Sequence, residues 1–159
     1  EARLVVVGSD PPPPHAFHSL EHIQLRGYVE DIRQALARYA VLVCPVLTGS
    51  GVRVKLLEAF ASGIPVVSTR LGAEGLADRD GEFCALADDP AGFAARILEL
   101  FEDHEKAAAM AVRARARVET GWDLATVSGR LWDAYRHTLW EKRARASAAI
   151  PSSAKRQGG

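Results

Sequence analysis

Residues 49–59 read GSGVRVKLLEA and bring two glycines, two cations and one carboxylate together where a loop turns into a helix. Gly49 and Gly51 carry no Cβ, so a ligand can approach the backbone closely and positive φ is open to both. Ser50 or Thr48 is placed to cap a helix that starts near Val52. The first-turn amides of such a helix have no internal acceptors and sit at the positive end of its dipole, a setting that suits phosphate. Arg53 and Lys55 add positive charge at that same end, with no acid beside them in the first turn. Cations there oppose the bare helix, so their presence points to an anion supplied from outside. Glu58 lies one turn deeper, beyond reach of a phosphate, and offers two acceptor oxygens to a vicinal diol, as an acidic residue does to ribose in dinucleotide sites. Phosphates at the helix mouth and a sugar at Glu58 together describe a nucleoside diphosphate. The competing reading is an ordinary capped helix whose Lys55 and Glu58 form an i, i+3 surface pair worth about 0.2–0.5 kcal/mol. Spacing alone leaves both open.

The flanking pattern says what must hold that loop in place. Residues 41–46, VLVCPV, form a continuous apolar run of the kind buried on both faces of a parallel sheet. Further strand-like runs occupy residues 4–7, 23–25, 65–69 and 82–85. Helical spacing appears in 31–39, where Ile32, Leu36 and Tyr39 recur at three- and four-residue steps, and from Val52 to a glycine stop at Gly63. Asp88, Asp89 and Pro90 signal another helix start, with Phe93, Ile97, Leu98 and Phe101 as its buried stripe. Residues 105–119 are rich in alanine and arginine. A last long helix runs over 122–146, with Leu131, Trp132, Tyr135 and Leu139 on one face. Alternation of this kind predicts an α/β fold: a doubly wound, Rossmann-like parallel sheet with helices on both faces. Ligands of such sheets bind at the carboxyl ends of the strands, which directs attention to the loops after Val7, Leu25, Val46 and Thr69.

Of 159 residues, 48% are hydrophobic and 25% charged, and twenty basic side chains balance twenty acidic ones. That balance gives no support to a nucleic-acid footprint. No apolar run approaches the ~18 residues of a membrane span, and EARLVVVG lacks the basic start of a signal peptide. Cys44 and Cys84 each lie in an apolar segment and read as buried thiols of a reducing cytoplasm. The chain enters a strand almost at once, as an excised piece of a longer protein would. One domain is expected over residues 1–148 and a disordered tail over 149–159, where IPSSAKRQGG has little to bury.

The stretch PVLTGSGVRVKLLEAFASGIPVVSTRLGAEGL, residues 45–76, resembles the signature region of family 4 (group 1) glycosyltransferases, GT-B enzymes that transfer sugar from nucleotide donors with retention. Weaker similarity runs through LVVVGSD at 4–10, LRGYVEDI at 25–32 and GWDL at 121–124, in the family's order. The resemblance implies the C-terminal, donor-binding half of such an enzyme. It places a backbone cradle for the diphosphate at Gly51, Val52, Arg53 and Val54, the donor ribose at Glu58, and a base-contacting loop at Tyr28 and Val29. Of the family's two glutamates only the second is present, since Ser50 occupies the place of the first. No catalytic residue is assigned to this half, and no metal or cofactor is expected beyond the nucleotide-sugar donor. The resemblance also implies a missing N-terminal domain that supplies the acceptor site and can associate the whole enzyme with a membrane, so the piece alone is expected to be inactive. The alternatives are a fragment of a GT-B-type nucleotide-sugar 2-epimerase and a non-catalytic α/β interaction module.

Other motifs read as structure. Asp78-Arg79-Asp80 spells the two-aspartate pattern with which GT-A enzymes bind a divalent metal, but Asp80-Gly81 is a turn dipeptide in a polar segment. His15, His18 and His22 have spacing that could gather zinc ligands, yet they follow a proline run and read as a solvated loop. Arg96, Lys106, Arg113, Arg115 and Arg117 give a basic helical region neutralised by Glu102, Asp103, Glu105 and Glu119. Trp132 and Trp140 read as core or interdomain packing, and the Leu131, Tyr135, Leu139 stripe as a patch left exposed without a partner domain.

Overall fold

The computed structural model describes residues 2–10, 12–17, 19 and 21–148, so the 149–159 tail and His18 lie outside the described residues. Residue contacts divide the chain into two compact units, Glu1–Arg115 and Ala116–Gly159. In the first unit β1 (Leu4–Val7) pairs in parallel with β2 (Ile23–Arg26), Leu4 opposite Ile23 and Val7 opposite Arg26. The connection between them holds a short 3-10 helix at Pro14–Ala16, which includes an exposed His15. A second parallel sheet runs β3 (Leu42–Cys44), β4 (Val66–Ser68), β5 (Ala85–Leu86) in that order. The parallel α/β class is as expected. Among the described residues, however, the strands hydrogen-bond in two groups rather than one continuous sheet. The half-buried pattern of β2, with exposed Gln24 and Arg26 alternating with Ile23 and Leu25, is that of a strand covered on one face.

Among the described residues five α-helices complete the order: α1 (Ile32–Leu36), α2 (Val54–Ala61), α3 (Pro90–Glu102), α4 (His104–Gly121) and α5 (Leu124–Ala148). Both α2 and α3 pack against β4. Val67 and Ala85, opposite one another in register, join Leu100, Ala107 and Met110 in a buried cluster that Phe93 and Ile97 pack against. Val66 and Ser68, alternating with Val67, face the other way and are fully buried. The helix stripe is thus Phe93, Ile97 and Leu100; Leu98, expected on it, is 55% exposed. Both leucines satisfy a three- or four-residue step, and the phase is set by where α3 meets β4 and β5.

Local caps follow the sequence closely. Asp89 accepts the Gly92 amide at 2.9 Å with Pro90 in the first turn, and Asp31 caps α1 through the amides of Arg33 and Gln34. Helix α2 ends in a Schellman motif: Gly63, at φ +70°, donates to Phe60 O and Ile64 to Ala59 O, each at 3.0 Å. Cys44 and Cys84 are free and fully buried, and burial, followed by the nearby Asp80 charge, pushes the Cys84 thiol up to about 12.

In the second unit, Asp123 starts α5 by accepting the Thr126 amide at 3.0 Å and the Thr126 hydroxyl. Those bonds hold its carboxyl below the usual aspartate range. Leu131, Tyr135 and Leu139 are exposed. Trp132 and Trp140 are exposed too, at 65% and 70%, so neither belongs to a core within this chain. Among the described residues no helix is long and apolar enough to cross a membrane.

Candidate functional site

The carboxyl ends of β3 and β4 lie side by side, because Cys44 is opposite Ser68 in the register. After β4 the chain turns sharply, and nearly every polar group there is used. The Thr69 amide donates to Cys44 O at 3.3 Å, the Thr69 hydroxyl to Val46 O at 2.6 Å, and the Gly72 amide to the Thr69 hydroxyl at 3.0 Å. Ser68 Oγ lies 3.3 Å from Cys44 O and 2.9 Å from Thr69 O. A Cβ on Gly72 would fall 2.5 Å from Ser68 Oγ and 3.0 Å from Cys44 O, so only glycine fits. This knot ties the start of the β3–α2 loop to β4.

Beyond Val46 the same loop is built in the opposite manner. Residues 47–52 are all exposed, and Gly49 and Gly51 adopt φ of +108° and +91°. The helix begins at Val54, two residues later than the sequence suggested: Arg53, not Ser50 or Thr48, is the N-cap residue, and no side chain caps it. The two positive-φ glycines turn the loop so that its hydroxyls do not reach the first-turn amides, and no acid enters that turn. The Arg53 side chain folds back under the loop, with Nη1 3.4 Å from Ser50 O, while its Nε and Nη2 are buried without a partner. A Cβ on Gly49 would sit 3.3 Å from Nη2. Unpartnered buried guanidinium donors are costly, and an oxyanion is the group best able to satisfy them. The exposed apolar side chains of Leu47, Val52 and Val54 border the loop, ready to be covered by a ligand or partner.

Along α2, Leu56, Ala59 and Phe60 are buried, which leaves Lys55 exposed and Glu58 half-buried on neighbouring faces. Among the described residues Lys55 and Glu58 form no ion pair with each other or with any other group, so the surface-pair alternative is not what the helix does with them. Tyr28 stands 74% exposed after β2, while Val29 lines a separate cavity at that strand's end. The expected site residues therefore fall in two places, eight of them in α2 or the loop before it and two, Tyr28 and Val29, after β2, with α1 lying between β2 and α2 in sequence and packed against α2 in space.

The decoy motifs resolve as structure. Asp80 accepts the Leu86 amide at 2.8 Å and pairs with Arg96, which fixes the turn before β5. Arg113 closes that turn from α4, donating through Nε to Glu82 O and through Nη2 to Gly81 O, each at 3.0 Å. In the basic region Lys106 and Arg96 both pair with Glu99, and those bonds hold its carboxyl below the usual range. Sequence reasoning missed the anchoring roles of Ser68, Thr69, Gly72 and Arg113, since their partners lie 23 to 32 residues away, apart from the short Thr69–Gly72 and Ser68–Thr69 links.

Residues 1–103 match the family of glycosyl transferases group 1. The chain belongs to that family. Its curated relatives include the phosphatidyl-myo-inositol mannosyltransferase of Mycolicibacterium smegmatis, 35% identical over 118 residues that make up 72% of this chain and 30% of that protein. This group 1 chain thus spans under a third of that relative. Its fold matches Anabaena HepE, solved in complex with UDP, with TM-score 0.74 and 19% identity over 86% of this chain and 41% of that one. It also matches the C-terminal domain of the Francisella tularensis group 1 glycosyl transferase LpcC, with TM-score 0.58 and 23% identity over 65% of this chain and 55% of that one. The likeness to these GT-B neighbours is one of fold.

Proposed function

We propose that this chain is the C-terminal, donor-binding half of a retaining glycosyltransferase, which moves a sugar from a nucleoside diphosphate to an acceptor. The observation that carries the reading is the unsatisfied start of α2: no side-chain cap, no first-turn acid, and buried Arg53 donors without an acceptor. The diphosphate rests on the amides of Gly51, Val52, Arg53 and Val54, with Ser50 and Gly49 shaping the loop and Lys55 adding charge. Glu58 accepts two hydroxyls of the ribose, and the base lies towards Tyr28 and Val29. The contribution to catalysis is electrostatic, since fixed amides and cations stabilise negative charge as the diphosphate departs. Two similar proteins support the donor class from different sides: HepE was solved with UDP, and the mycobacterial relative is a mannosyltransferase. That relative's lipid acceptor is in keeping with a whole enzyme that meets a membrane from the cytoplasm through a separate N-terminal domain. With the acceptor site on that domain, this chain alone transfers no sugar.

Calorimetric titration with UDP, GDP and ADP tests the reading. At least one binds, and Glu58→Ala weakens that binding about tenfold or more, the loss expected of charge-assisted hydrogen bonds, without lowering the melting temperature. A protein that binds none of the three is no donor half. Retention is checked separately by the anomeric configuration of the product made by the whole enzyme.

A further inference from the structure

Residues 47–52 are all exposed, and among the described residues the 3.4 Å contact of Ser50 O with Arg53 is the one hydrogen bond they make. A loop so loosely held takes its course from its two ends. At the far end α2 is seated by Leu56, Ala59 and Phe60, all buried. At the near end the Val46 amide folds back on Cys44 O at 3.0 Å, a three-residue turn whose middle residue, Pro45, has its φ fixed by the ring. Val46 O, the last acceptor before the loop, receives the Thr69 hydroxyl at 2.6 Å. That hydroxyl is used twice over: its single proton goes to Val46 O while its oxygen accepts the Gly72 amide at 3.0 Å. Thr69 itself is 4% exposed, so it is built into the sheet end and offers no free group to a ligand.

We propose that Thr69 is a positioning residue for the nucleoside diphosphate: without touching it, the hydroxyl fixes the root from which the 51–54 amides reach the phosphates. The inference rests on the nucleotide reading above. A ligand that gathers several amides of a mobile loop must order that loop, and the ordering subtracts from affinity. Holding Val46 O removes part of that cost in advance, because the first residue of the path is already set. Valine has the shape of threonine but can neither donate to Val46 O nor accept from Gly72, whereas serine can do both. Ser68 provides the comparison within the same knot. Its hydroxyl is equally buried, but it lies 3.3 Å from Cys44 O and 2.9 Å from Thr69 O and makes no bond to Val46.

The test is calorimetry with UDP, GDP and ADP on the protein and on Thr69→Val, Thr69→Ser and Ser68→Ala, at a temperature where each is folded. Thr69→Val is expected to bind the preferred nucleotide about fivefold more weakly, the loss of one hydrogen bond, and Thr69→Ser to restore parental affinity. Ser68→Ala lowers the melting temperature as Thr69→Val does and leaves affinity unchanged. Parental affinity in Thr69→Val, no rescue by serine, or an equal loss in Ser68→Ala overturns the positioning role and keeps the nucleotide site. If the parent binds none of the three nucleotides, the nucleotide reading falls and the role of Thr69 with it. A second measurement needs no variant and so survives a misfolded one. Backbone amide relaxation of the nucleotide-free protein should find Val46 as rigid as β3 and residues 48–51 mobile on the ps–ns scale. A Val46 amide as mobile as that of Ser50 overturns the proposal.

Discussion

Two neighbouring loops leave the same edge of one sheet and are built in contrary ways. Behind β4, Ser68, Thr69 and Gly72 are buried, and their polar groups answer one another and the backbone of Cys44 and Val46. Behind β3, residues 47–52 are exposed, α2 starts without a side-chain cap, and two Arg53 nitrogens are buried unmet. A folded chain satisfies nearly all of its buried polar groups, so a cluster of exceptions needs a cause. Here the closed loop is the anchor: the knot behind β4 fixes Val46, from which the unsatisfied loop departs. The difference teaches where to look for a ligand without any cavity to point at it.

The largest effect should come from breaking the anchor. Gly72→Ala drives a Cβ to within 2.5 Å of Ser68 Oγ, with Cys44 O and Thr69 Oγ1 each at 3.0 Å, and should cost about 2–4 kcal/mol in denaturant unfolding. A stability within 0.5 kcal/mol of the parent would show that the knot is looser than its hydrogen bonds imply. The open loop should respond in the reverse sense. Arg53→Met removes two buried donors that have no partner together with the long 3.4 Å bond to Ser50 O, so stability holds or rises while nucleoside diphosphate affinity falls about tenfold. Loss of stability with affinity intact would assign Arg53 to the fold instead.

The smallest effect belongs to Glu99, on the closed side of the sheet. Its carboxyl is lowered first by the bond from Lys106 and then by that from Arg96. A depressed carboxyl stabilises the fold above its unfolded pKa, and that stabilisation is lost as pH falls through the lower, folded value. Glu99→Gln should therefore flatten part of the acid limb of a stability-against-pH curve below pH ~4.3 and cost under about 1 kcal/mol at neutral pH, since the group is partly exposed. An unchanged acid limb would leave the ion pairs without energetic weight.

The sequence made much of this contrast readable, but unevenly. The residues of the open loop could be named because their chemistry is local: Gly49, Gly51, Arg53, Lys55 and Glu58 lie within ten positions, and the family resemblance spans the same stretch. The cap could not, because whether Ser50 reaches a first-turn amide depends on the two positive φ angles between loop and helix. The closed loop was hidden for a different reason. Thr69 and Ser68 look like the end of an ordinary strand until Val46 O and Cys44 O arrive from 23 and 24 residues away. Leu98 and Leu100 differ by nothing local, so only contact with the sheet chooses between them. The division of the strands into two hydrogen-bonded groups likewise lies beyond what periodicity encodes.

The most direct measurement of the central claim is amide NMR of the protein titrated with the nucleoside diphosphate it binds best. The account predicts the largest shifts at the backbone amides of Gly51, Val52, Arg53 and Val54, with smaller ones near Glu58 and almost none at Thr69 or Gly72. Saturable binding that leaves residues 49–55 unmoved would contradict it.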